Sequence, residues 1–301
     1  MDISTLRTLF HTKLAPLYPE REIEAIFFAY IYDKFGIRKY EYFLKGEKTL
    51  FSPYFKNKTT LVAECEKDLE MLAEGVPVQY VLGKTVFYGL EIEVNTAVLI
   101  PRPETEELVE VICSKFKVQS SKFKVQSSIL PLRVLDVGTG SGAIAIALAK
   151  NIKNAEVWAT DISELALETA RKNAVTHNVE IHFLHHDIFK DDGAMLPDNL
   201  DIVVSNPPYI PNNEQINLHK NVVQYEPHDA LFVPDENPLI FYDAISNMAQ
   251  KNLREGGVLF FETHEKFHLE LSAMLAEKGF KELNFWKDLN GKPRFASGKK
   301  L

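Results

Sequence analysis

Apolar positions recur every three or four residues through the first part of the chain. Ile3, Leu6, Phe10 and Leu14 fall on one helical face. Glu20 to Phe35 repeats the pattern with Ile23, Ile26, Phe27, Tyr30 and Ile31, and Leu61, Cys65, Leu69 and Leu72 make a third stripe. Such stripes are ordinary core faces, so residues 1–83 are expected to form a small helical bundle. The pattern then changes. KTVFYGLEIEVNTAVLI (84–100) is rich in β-branched and aromatic residues and is punctuated by Gly89 and by Asn95-Thr96, which fits a β-hairpin linker. Pro103 suits a first helical position, and Glu104, Glu106 and Glu107 complement the positive end of the helix that follows.

From residue 133 short apolar runs alternate with helical patterns. Strands are expected at 133–138, 156–161, 181–187, 200–206 and 256–263, and helices at 143–150, 164–173, about 238–253 and 269–278. FKELNFWKD and PRFASGK close the chain. The alternation predicts an α/β domain over 101–301, with a mostly parallel sheet and helices on both faces. Its ligand belongs beyond the carboxyl ends of the strands, at the switch point. The tandem SKFKVQS-SKFKVQS at 114–127 reads as a lengthened linker, since two seven-residue copies cannot stack into a solenoid.

Composition narrows the picture. Net charge is −8, so there is no global basic footprint for nucleic acid. Residues 84–301 alone carry 23 Lys and Arg against 30 Asp and Glu. Cys65 and Cys113 imply no disulfide framework, and their spacing suits no metal site. The opening MDISTLRTLFHTK lacks the basic start and apolar run of a signal peptide, and no apolar run is long enough to span a membrane. A cytoplasmic protein with no membrane partner is expected.

Candidate chemistry lies at strand ends. Asp136-Val-Gly138-Thr-Gly140-Ser-Gly142 follows the first strand of the array and opens a helix. Glycines let the backbone turn sharply and approach a ligand, and the free N–H groups at a helix start favour a polar group. The spacing also matches a dinucleotide loop through Ala143. Asp161 ends the second strand and can accept ribose hydroxyls; its alternative is a helix cap. Asp187 ends the third expected strand and can meet an adenine amine, with Ile188 and Phe189 against the ring; its alternative is a turn aspartate.

These three features fit NAD or S-adenosylmethionine. VVSNPPYIPNN (203–213) chooses between them. An apolar strand ends on Asn206, and two prolines then forbid helix and ladder pairing. Hydride transfer has no use for this stretch, whereas methylation of a planar nitrogen does. Such a nitrogen is a poor nucleophile, because its lone pair is delocalised. Asn206 Oδ1 and the Pro207 carbonyl suit the two N–H groups of an amide or amine. Tyr209 can stack on the planar target. Attack on a sulfonium methyl then needs mainly proximity and preorganised dipoles.

The chain resembles the release-factor glutamine methyltransferases. The stretches that carry the resemblance are PVQYVLGKTVFYGLEIEV (77–94), VLIPRPETEELVE (98–110), VLDVGTGSGAIAIALA (134–149), VVSNPPYIP (203–211) and YEPHDALF (225–232). NPPY alone is shared with nucleic-acid methyltransferases acting on adenine N6 or guanine N2, so it names a chemistry only. IPRPETE joined to the QY-x-x-G segment is more specific. The resemblance implies a class I S-adenosylmethionine-dependent methyltransferase, Rossmann-like, with a small N-terminal bundle that docks the substrate. It implies the glutamine of the Gly-Gly-Gln motif in peptide chain release factors as substrate, and no direct nucleic-acid substrate. Gly138, Thr139, Gly140, Ser141 and Gly142 would wrap the methionine and ribose, Asp161 would take the ribose, and Asp187 with Ile188 the adenine. Asn206, also facing the cofactor, would bind the glutamine amide with Pro207, Pro208 and Tyr209. Arg102 and Glu104 would line the pocket, with helix-start packing as the alternative. Phe87 would wall the methyl site, with a hairpin core position as the alternative. DLNGKPRFASGK (288–299) departs from the family pattern, and no functional residue is expected there.

Overall fold

The computed structural model describes residues 3–45, 58–122, 130–190 and 193–301. The chain divides into two compact units, Met1–Gly83 with His219–Tyr225, and Lys84–Leu218 with Glu226–Leu301.

The first unit is helical. It comprises α1 (Ile3–Leu14), α2 (Glu20–Phe35), α3 (Lys39–Lys45), α4 (Lys58–Ala73) and α5 (Val78–Leu82). Ile3, Leu6, Phe10, Leu14, Ile23, Phe27, Tyr30, Ile31, Cys65, Leu69 and Leu72 share one core, as their spacing predicts. The side chain of Leu61 lies outside the described residues. Residues 219–225 are not part of a contiguous C-terminal domain, because they group with this bundle. There the Tyr18 ring stacks on His219 at 5.5 Å, the Tyr18 hydroxyl accepts from Asn221 Nδ2 at 3.1 Å, and the Tyr225 hydroxyl donates to the Glu74 carbonyl at 3.0 Å.

The second unit opens with an antiparallel hairpin, β1 (Lys84–Phe87) and β2 (Leu90–Glu93). Residues 94–100 lie beyond it outside any strand. Helix α6 (Pro103–Lys122) follows. It corrects the linker reading of the duplication: residues 114–122 continue α6, and residues 123–127 lie outside the described residues.

The main sheet contains β3 (Leu132–Val137), β4 (Ala155–Asp161), β5 (His182–His185), β6 (Leu200–Ser205), β9 (Leu253–Glu262), β10 (Lys281–Lys287) and β11 (Pro293–Lys299). Between them, β7 (Ile210–Pro211) and β8 (Phe232–Val233) form a separate parallel pair. The order is β10-β11-β9-β6-β3-β4-β5. Only β11 runs against its neighbours, slotted between β9 and β10. The connecting helices are α7 (Ala143–Asn151), α8 (Glu164–Thr176), α9 (Ile240–Asn252) and α10 (His268–Glu277). Leu135, Val203, Leu259 and Phe261 pack with Tyr242 and Ile245 of α9 and Leu271 and Leu275 of α10. Every residue of β6 is buried, as a strand covered on both faces must be. Among the described residues no helix is long and apolar enough to cross a membrane.

Leu259 is fully buried in the middle of β9. Leu259→Ala is expected to cost about 2–5 kcal/mol, from lost burial and the cavity left behind. Chemical denaturation of the full chain measures this.

Candidate active site

The chain leaves β3, builds β4 and β5 on one side, then returns to lay β6 against the other side of β3. This is a switch point, and the loops after β3 and β6 leave the sheet side by side at its edge. The glycine loop follows β3 and the Asn-Pro-Pro-Tyr turn follows β6.

Backbone conformation explains the glycines. Gly138, Gly140 and Gly142 all have positive φ, at 71°, 55° and 82°. Among the described residues a Cβ on Gly138 or Gly140 would meet nothing within 4 Å, so the loop faces open space there. Gly142 differs, because its Cβ would lie 3.1 Å from Ala170 Cβ, where the loop passes against α8. Gly138 N and Thr139 N both donate to the Thr160 carbonyl, at 2.9 and 2.8 Å. Ser141 offers its carbonyl to Asn173 Nδ2 at 2.9 Å. The same Asn173 exchanges hydrogen bonds with the backbone of Glu93, which ties loop, α8 and hairpin together.

Two carboxyls frame the loop. Asp161 Oδ2 accepts from Gly140 N at 2.8 Å and its Oδ1 from Ser163 N at 2.9 Å. Ser163, not Asp161, caps α8, through a bond to Ala166 N. Burial raises the Asp161 carboxyl above its ordinary value. Asp136 is fully buried; its Oδ2 accepts from Thr139 Oγ1 at 2.7 Å and Ala145 N at 3.2 Å. Among the described residues its Oδ1 has no hydrogen-bond partner. Burial pushes its pKa up to about 7.

Asp187 sits differently from expectation. β5 stops at His185, so Asp187 lies two residues past the strand, in a turn. Its Oδ1 accepts from Phe189 N at 3.0 Å, and Lys190 lies 3.0 Å from its Oδ2. Lys190 holds its carboxyl below the ordinary value. Ile188 is half-buried beside it, while the exposed Phe189 ring packs on Phe241 at 4.9 Å.

Asn206 donates from Nδ2 to Thr105 Oγ1 at 3.3 Å. Thr105 donates in turn to Glu262 Oε2 at 2.6 Å, and the Tyr209 hydroxyl donates to Glu262 Oε1 at 3.0 Å. Glu262 is buried at the end of β9, and burial raises its carboxyl. Arg294 opposes that shift. The Tyr209 hydroxyl is also raised, by burial and by the neighbouring carboxylate. Pro207 is buried, and among the described residues no donor meets its carbonyl. Pro208 is half-buried. β7 and β8 secure the exit of the turn.

The remaining expected residues lie as follows. Arg102 pairs with the buried Glu226 at 2.5 Å, and Glu226 also accepts from Ile100 N at 3.1 Å, so Arg102 anchors the start of α6 to the 226 loop. Glu104 is half-buried, close enough to act on Glu262 electrostatically. Phe87 is wholly buried at the turn end of β1, which is the hairpin core position. Its ring reaches no open surface, so the methyl-site role gains no support. Thr105, Glu262 and Arg294 are absent from the expected site residues, and Asp136 enters there only as the start of the glycine motif. A charge ending an apolar strand was the signal for Asp161, and the same rule applied to GGVLFFE points to Glu262. Arg294 has no comparable sequence signal, because β11 reaches the site only by inserting between β9 and β10.

Over 295 residues the chain is 43% identical to the release factor glutamine methyltransferase of Flavobacterium psychrophilum, covering 98% of each. The chain belongs to the release factor glutamine methyltransferase family. A relative of the same name from Bacteroides thetaiotaomicron is 36% identical over 93% of this chain and 94% of its own. Residues 120–228 match the methyltransferase small domain model. The catalytic domain of hMettl16, solved with an RNA hairpin, shares the fold at 17% identity, with a TM-score of 0.52 over 79% of this chain and 81% of its own.

The cofactor of this methyltransferase is S-adenosylmethionine. The residues present fit it. It carries an ammonium, a ribose diol and a sulfonium, all of which seek acceptors or negative charge. The loop offers open space above two glycines, the Asp136 oxygen that no described residue meets, and Asp161 at its rim.

The raised Asp136 has a stability consequence. Its folded pKa exceeds that of an ordinary carboxyl, so the folded state holds the proton more tightly. Its contribution is most favourable below about pH 4 and declines as pH rises to about 7. Melting curves of the cofactor-free chain and of Asp136→Asn are expected to diverge over that window, the wild type losing ground as pH rises. A constant difference would contradict the shift.

Proposed function

We propose that this methyltransferase transfers a methyl group to the side-chain amide nitrogen of the glutamine in the Gly-Gly-Gln motif of peptide chain release factors. The observation that carries the reading is the near-full-length relation to proteins of that named activity, in a chain that has Asn206 and Pro207 directly after β6. The named activity of the relatives favours a protein substrate over a nucleic-acid nitrogen.

Each residue then has a physical task. Gly138–Gly142 and Asp161 hold the cofactor, which supplies a methyl on a sulfonium, and Asp187 with Ile188 flank the adenine. Asn206 Oδ1 and the Pro207 carbonyl accept the two N–H groups of the glutamine amide. This holds the nitrogen in place and favours a more pyramidal geometry. Tyr209, pinned through its hydroxyl, offers its ring to the planar amide. No strong base is needed before attack, since the proton leaves after nitrogen has become cationic. Preorganisation therefore supplies most of the rate. Arg102 and Glu104 act by fixing the start of α6. Residues 1–83 dock the release factor, and the place of work is the cytoplasm.

Asn206→Ala is expected to lower methylation of a purified release factor by at least about 100-fold, as loss of an aimed dipole does. Its affinity for S-adenosylmethionine, read by calorimetry, stays within a few-fold. Surviving methyl transfer would remove Asn206 from this role.

A further inference from the structure

The Asn206 side chain has two ends, and only its oxygen can accept from a substrate N–H. Nothing in the residue itself decides which end faces the substrate. The neighbouring hydrogen bonds do. Glu262 accepts through both of its oxygens, one from Thr105 and one from Tyr209. The single proton of the Thr105 hydroxyl is spent on Glu262 Oε2 at 2.6 Å. Thr105 Oγ1 then has only lone pairs to offer Asn206, 3.3 Å away, and these suit Nδ2. A flipped amide would set oxygen against oxygen with no proton between them. Among the described residues no donor meets Asn206 Oδ1. The second oxygen of Glu262 is taken by the Tyr209 hydroxyl at 3.0 Å. One buried carboxylate at the end of β9 thus holds both ends of the turn after β6.

We propose that Thr105 and Glu262 are positioning residues for methyl transfer: Glu262 polarises the Thr105 hydroxyl one way, and this turns the Asn206 amide oxygen toward the substrate nitrogen. This rests on the role given to Asn206 above and extends it to two buried residues that act through Asn206. Polar relays are strongest where water is excluded, and Thr105 and Glu262 are both buried.

Thr105→Val keeps the shape and removes the relay, while Thr105→Ser keeps the hydroxyl. Thr105→Val is expected to lower kcat on release factor by about 10- to 100-fold, the range seen when an orienting partner is lost, with KM and cofactor affinity within about threefold. Thr105→Ser restores kcat to within about threefold of wild type. Solvent exchange of the Asn206 side-chain amide, followed by NMR, is slow in the wild type and in Thr105→Ser and faster in Thr105→Val. A Thr105→Val enzyme with kcat within twofold of wild type would overturn the proposal. So would a Thr105→Ser enzyme as slow as Thr105→Val, since packing would then be the cause. Fast exchange in the wild type would overturn it without any variant. A wild type that leaves release factor unmethylated would instead sink the substrate reading, and the exchange rates would still decide the orientation of Asn206.

Discussion

β3 pairs in parallel with β4 on one side and with β6 on the other, and all the chemistry hangs on that double pairing. Strands that share a parallel ladder end on the same edge. Asp136, near the end of β3, therefore lies beside Ala159 of β4 and Val204 of β6 in register. The glycine loop, Asp161 and Asn206 are delivered to one edge by hydrogen bonding alone. Loops at that edge can vary in length without moving the groups at the strand ends. β9 joins the same edge through its parallel pairing with β6, which brings Glu262 opposite the turn that carries Asn206 and Tyr209.

The site is built on buried carboxyls, and each burial has a cost. Burial raises the pKa of Asp136, Asp161 and Glu262 above the ordinary carboxyl value, because water has been removed from them. Each is partly compensated by donors aimed at it. The donors to Asp136 and Asp161 come largely from the loop backbone and a threonine, and those to Glu262 from two hydroxyls. This couples shape to charge. Disturbing one donor leaves a buried acceptor unsatisfied, and the loop or turn that supplied the donor loses its anchor.

Much of this was legible from residue order. The helical stripes of the bundle, the βα alternation and the glycine loop depend on local periodicity, and the structure follows them closely. The failures are equally physical. The SKFKVQS repeat looks like a linker because it carries no clear apolar stripe, yet its first copy simply prolongs α6. Asp187 was expected at a strand end, but β5 is an edge strand and stops early. The place of β11 in the sheet, and with it Arg294, depends on its antiparallel pairing with the distant β9, which no local pattern records. Thr105 was hidden between the more conspicuous Arg102, Glu104 and Glu106 of the same segment, because its role comes from what it touches across the fold.

On the proposed function, this edge of the sheet presents a planar glutamine amide to a sulfonium methyl. The most direct test offers purified release factor and total RNA and DNA side by side, with S-adenosylmethionine labelled on its methyl group, and maps the label by mass spectrometry of the resulting peptides and nucleosides. The expected result is label on the side-chain nitrogen of the glutamine in the Gly-Gly-Gln peptide. Label on nucleic acid alone would contradict it, leaving the fold, the cofactor and the chemistry of the turn intact but assigning them to another substrate.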